Sequence, residues 1–165
     1  MAAGSGRRMP LLVIAGAAAA VHFTMGLMPA RIASHFAAGG LPNAYMAHDN
    51  YELFMLAIVI GLPGIIALGL AAAVRSGGDR LRIPDRDYWL DPVRREATVA
   101  YLQGHMAWLG SGTALFLLAL HLVLVHVNRL DPPRLATGVA AGLMLVPLAT
   151  ILLWVGALQR HFRRR

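Results

Sequence analysis

Seven histidines are the chemically versatile residues of this chain: His22, His35, His48, His105, His121, His126 and His161. Imidazole ligates transition metals and exchanges protons near neutral pH. Two carboxylates, Asp49 and Glu52, lie close to His48 in sequence. Imidazole and carboxylate together suit zinc or copper, so His22, His35, His48, Asp49, Glu52, His121 and His126 form a candidate ligand set for a divalent metal. The spacing does not demand one. His121 and His126 stand five apart, about 140° around a helix, so both cannot face one ion. A b-type haem is a second reading, because His22 and His121 lie on separate apolar runs at comparable depth, with Gly26, Gly110 and Gly112 to line a pocket. In a third, His22 and His121 are neutral and each bonds to a neighbouring helix or to water.

Other chemistries find no footing. Without cysteine, thiolate metal sites and disulfides are impossible. There is no HExxH, no GxSxG, no phosphate-cradling glycine loop and no pair of carboxylates within an apolar run. Ser34 precedes His35, but adjacent residues do not by themselves make a nucleophile and its base. The expectation is a protein that is not an enzyme.

The elements that carry these residues are membrane spans. The chain has 165 residues, 58% hydrophobic and only 14% charged, against about a quarter charged in a soluble domain. Crossing about 30 Å of hydrocarbon takes roughly 20 apolar residues. Four runs qualify, at about 9–27, 53–74, 106–127 and 136–158, giving an all-α, four-helix transmembrane bundle as a single domain. All fifteen basic residues are arginine and the net charge is +7. The arginines flank the apolar runs, which reads as a topology signal and not as a nucleic-acid surface. Twelve lie at the N-terminus, in the 75–105 connector and at the C-terminus; only Arg31, Arg129 and Arg134 lie on the other side. The positive-inside rule then predicts both termini in the cytoplasm, with the 28–50 segment outside. Five histidines fall in this outer half, while His105 and His161 fall at the cytoplasmic side.

Between the spans, SGGDR at 76–80 reads as a flexible exit. Asp91 followed by Pro92 reads as a capped helix start. The segment after it is amphipathic and either lies on the inner leaflet or runs straight into the third span. Tyr88, Trp89 and Trp108 would anchor at the interface. GLPG at 61–64 and Pro147 predict bends, and Gly138 with Gly142 predicts close helix packing within the bundle. In the outer segment, Pro29 should end the first helix, Gly39 and Gly40 allow tight bends, and Pro42 fixes the return. Ile32, Phe36 and Leu41 should then fold over the bundle as a small lid, with His35 pointing toward His22 and His121.

The stretch MPARIASHFAAGGLPNAY, residues 28–45, resembles the N-terminal domain found in the SdpI family of bacterial membrane proteins. Pro29, Ile32, His35, Phe36, Gly40, Pro42, Asn43 and Tyr45 match its pattern; Ala33, Ala37 and Ala44 depart from it. The resemblance covers about residues 10–70, and IPDRDYWLDPVRRE is similar to small four-helix members, extending it to about 130. It implies a multi-pass protein of the bacterial inner membrane with the His35 turn outside. For the namesake it implies immunity against a secreted peptide toxin, coupled to membrane capture of a repressor. The expectation for this chain is a binding or protective role through its outer loop, meeting a peptide or membrane-protein partner with Phe36, Tyr45 and Trp89 as contact residues. An accessory subunit of a larger membrane complex and a metal- or haem-binding redox protein remain the alternatives.

Overall fold

Small and apolar residues recur at helical spacing along three of the long runs, and the buried positions follow that spacing closely. The structure, a computed structural model, describes residues 5–75, 81 and 83–163. Its elements in order are helix α1 (Ser5–Thr24) with a 3-10 turn at Met25–Leu27, strands β1 (Arg31–Phe36) and β2 (Pro42–Ala47), and helices α2 (His48–Arg75), α3 (Arg86–Trp89), α4 (Pro92–Asn128) and α5 (Thr137–Phe162). The expected exit at 76–80, with Arg82, Arg164 and Arg165, lies outside the described residues.

Four helices are long and apolar enough to cross a membrane. Three of them pack together around α4, which touches both α1 and α2. Ala17 and Val21 of α1, continued by Met25 of the 3-10 turn, form one inner stripe; Tyr51, Met55, Val59 and Pro63 form that of α2; and Gly110, Ala114, Leu117, His121, Leu124 and Asn128 form that of α4. These spacings of three and four keep each row on one helix face. Where lipid covers both helices equally, shape and polar bonds hold them together instead of hydrophobic exclusion. A Cβ on Gly110 would sit at ordinary contact distance from Pro63, 3.7 Å from its Cβ. Gly110 therefore packs against Pro63 of α2.

Helix α4 is one continuous helix of 37 residues. At 1.5 Å per residue it is about 55 Å long, well beyond the hydrocarbon thickness. Its start is capped: Val93 N–H donates to Asp91 Oδ1 at 3.0 Å, with Pro92 in the first turn. The connector thus runs straight into the third span. Helices α2 and α5 run unbroken through Pro63 and Pro147.

Helix α5 stands apart. It meets α4 through rings at one end: Trp154 Nε1–H donates to the His105 carbonyl at 2.9 Å, and His105 Nε2 donates back to the Trp154 carbonyl at 3.1 Å. Tyr101 stacks on His161 with centroids 3.5 Å apart, and Trp89 Nε1–H donates to the Phe162 carbonyl at 3.2 Å. Phe162 is its one buried residue. A Cβ added at Gly138 or Gly142 would meet nothing within 4 Å. The expected bundle packing by this glycine pair is therefore absent, because α5 turns that face away from the described residues.

The segment read as a compact turn is a β-hairpin. Its strands pair antiparallel as Arg31 with Ala47, Ile32 with Met46 and Ala33 with Tyr45, with an irregular register through His35–Ala44 and Phe36–Pro42. α1 ends at Thr24, four residues earlier than Pro29 would impose, and the 3-10 turn carries the chain to the strand. Ile32 and Ala33 are fully buried and seat the hairpin on the helix ends.

Candidate functional site

Two groups of polar residues meet at the hairpin end of the bundle. The inner one links three helices. Thr24 Oγ1–H is donated back to the Ala20 carbonyl at 2.6 Å, a common way to satisfy a hydroxyl in an apolar helix. With its only proton used, Thr24 Oγ1 is the acceptor toward His121 Nε2, 2.8 Å away. His121 must then carry its proton on Nε2, which leaves Nδ1 to accept from the Tyr51 hydroxyl at 3.1 Å. The chain of donors runs from Tyr51 on α2, through His121 on α4, to Thr24 on α1. Both nitrogens of the fully buried His121 are satisfied within the protein. His121 thus ties α1, α2 and α4 together.

The outer group holds the hairpin. Asn128, in the last turn of α4, accepts from Ala33 N–H through Oδ1 at 2.7 Å and donates through Nδ2 to the Ala33 carbonyl at 3.1 Å. Its side-chain amide completes the edge of β1 as another strand would. The hairpin tip is fixed as well. Gly40 adopts φ +76, and its carbonyl accepts from Leu135 N–H at 2.9 Å. A Cβ there would lie 2.1 Å from the Leu135 carbonyl oxygen, so only glycine fits.

The opposite edge is open. His48 N–H donates to the Ala30 carbonyl at 3.1 Å, just beyond the paired strands. Antiparallel pairs alternate between bonded and non-bonded, so Ile32–Met46 is bonded and Ala33–Tyr45 is not. Ala33 consequently turns its backbone to Asn128, and Tyr45 turns its N–H and C=O to the free side of β2. Among the described residues the sheet has two strands, and no backbone bond from outside the hairpin reaches Tyr45 or the Ala47 N–H. Around this edge Tyr45 is exposed, with the Arg31 guanidinium carbon 5.4 Å from its ring centroid. His35 donates Nδ1–H to Asn43 Oδ1 at 2.7 Å, which leaves its Nε2 free to accept.

The remaining candidates scatter. His22 is exposed and donates Nδ1–H to Glu52 Oε1 at 2.6 Å, on the outside of the bundle. It does not face His121, so the two do not converge as a haem would require. His48 donates Nε2–H to the Met25 carbonyl at 3.1 Å, and its Nδ1 lies 3.2 Å from Asp49 Oδ1. His126 is exposed on α4. Among the described residues no group of three or more His, Asp or Glu side chains is arranged to hold a metal. The proposed ligand set therefore separates into His22–Glu52, His48–Asp49 and His35–Asn43, with His121 and His126 apart. Of the contact residues, Phe36 is half-buried against the core and Tyr45 is exposed on the hairpin. Trp89 is elsewhere: Thr98 Oγ1 bonds its carbonyl at 2.9 Å, and 30 residues of α4 separate Thr98 from Asn128, about 45 Å.

No family model, curated protein or solved structure matches this chain.

Asn128, Thr24 and Tyr51 were not singled out by their sequence surroundings as site residues. Asn128 carried a usable signal, a lone amide closing a long apolar run. Its partner, Ala33, is 95 residues away and carries none.

Proposed function

We propose that this protein is a non-catalytic multi-pass protein of the bacterial inner membrane that captures an extended peptide segment on the open edge of β2. Both termini lie in the cytoplasm and the hairpin lies outside. The observation that supports this reading is the asymmetry of the hairpin: one edge is closed by Asn128, and on the other the alternation of the antiparallel ladder turns the Tyr45 N–H and C=O and the Ala47 N–H away from β1. An unpaired edge is a template for another strand. Strand addition of this kind draws affinity from backbone bonds and selectivity from flanking side chains, here Tyr45, Arg31 and the His35–Asn43 pair. The resemblance of residues 28–45 to the SdpI family favours a peptide as the occupant and a protective role as the outcome.

The test separates backbone from side chain. Ala47→Pro removes the outward N–H without touching the bonds between β1 and β2, since proline is tolerated where the N–H faces out. A photo-crosslinking residue at Tyr45 in intact cells should trap a discrete peptide or protein segment, and Ala47→Pro should lower that yield about tenfold. Crosslinking only to lipid, or a yield untouched by Ala47→Pro, defeats the proposal.

A further inference from the structure

We infer that the groove between α4 and α5 at the hairpin end binds a single anionic phospholipid. The ring contacts that hold α5 to α4 lie at the other end of the bundle, at His105–Trp154 and Tyr101–His161. Toward the hairpin the two helices leave a groove of about 360 Å³. Its walls are apolar, with Leu122 and Leu130 on the α4 side and Leu135 and Val139 on the α5 side; the polar side chains lining it are His126 and Arg134. Among the described residues no carboxylate pairs with either of them. His126 stands two residues before the end of α4, at the level where a span of this helix meets the headgroup region.

Arg134 is exposed at the mouth of the groove, in the loop before α5, where an arginine at the interface attracts an anionic headgroup. An apolar slot topped by unpaired basic groups is complementary to one ligand chemistry, an acyl chain carrying a phosphate. Basic pockets between membrane helices bind anionic headgroups in this way. A neutral lipid would fill the slot and leave Arg134 unpaired. The site also adjoins the hairpin, because Leu135, which lines the groove, donates its N–H to Gly40. This inference needs the chain in lipid and is independent of what the β2 edge binds.

The test uses the full chain in mild detergent, offered dioleoylphosphatidylglycerol or dioleoylphosphatidylcholine and weighed by native mass spectrometry. The wild type should retain one phosphatidylglycerol in preference to phosphatidylcholine by about fivefold, the ratio expected from one arginine near a headgroup. Arg134→Gln should bring the two lipids within about twofold, and Arg134→Lys should restore the preference. Val139→Trp, which fills the groove, should remove retention of both while helicity is kept. Equal retention of the two lipids by the wild type overturns the inference without any variant being needed. So does displacement of phosphatidylglycerol by an equimolar amount of laurate, or a retained mass equal to a second copy of the chain.

Discussion

Asn128 and His121 illustrate two uses of a polar side chain in an apolar setting. Asn128 closes a strand edge, so Asn128→Ala leaves the buried Ala33 N–H and C=O unpaired. Each unmade bond of this kind costs about 1–3 kcal/mol. Hydrogen exchange should accelerate across residues 31–36 in that variant, while α1 and α2 exchange as in the wild type; unchanged exchange in the strand would contradict the role given to this amide. His121 ties helices. Thr24→Val removes the acceptor for its Nε2–H, and Tyr51→Phe removes the donor to its Nδ1. Interhelical bonds in membranes contribute about 0.6 kcal/mol on average and rarely above about 1.7, so each variant should lower stability by about 1 kcal/mol in a detergent unfolding titration. The two losses should be less than additive, because both act through one imidazole. The histidines were visible in the sequence as a group by type and approximate depth. Their directions were not, since the way a ring faces depends on helix rotation, which is set by packing over the whole length of α1, α2 and α4.

At the scale of elements, four long apolar runs could be read directly, because length and hydropathy carry that signal without tertiary help. The hairpin could not. Its strands carry few β-branched residues, the inward residues Ile32 and Ala33 are adjacent and break the alternation, and its closure depends on Asn128 and Leu135 far along the chain. Glycine positions separate these contributions. Gly40→Ala places a methyl against the Leu135 carbonyl at a positive φ, whereas Gly39 has open space around it. Gly40→Ala should cost about 1–3 kcal/mol and free the hairpin tip from the α5 entrance, seen as faster exchange at Gly40 and Leu135. Gly39→Ala should leave both unchanged. The end of α5 is held by rings whose partners no local pattern announces. Trp154→Ala removes a stacked ring and a bond to the His105 carbonyl, and should lower the unfolding midpoint while hairpin exchange stays as it was.

For the whole molecule, the design is a three-helix core with a hairpin at one end and a fourth helix clasped to α4 by stacked rings at the other. The ends differ in chemistry. One presents backbone edges, exposed Tyr45 and unpaired Arg134; the other presents a ladder of Trp89, His161, Tyr101, His105 and Trp154. The proposed peptide capture and the proposed lipid binding both use the first end, and both place that end at the outer face of a membrane. The absence of native cysteine makes this directly measurable. Single cysteines placed at the exposed positions Ala44 on the hairpin and Gln159 near the end of α5 can be reacted with a membrane-impermeant maleimide in intact spheroplasts. Ala44→Cys should label before lysis and Gln159→Cys only after it; labelling of Gln159→Cys before lysis with Ala44→Cys protected would contradict the account.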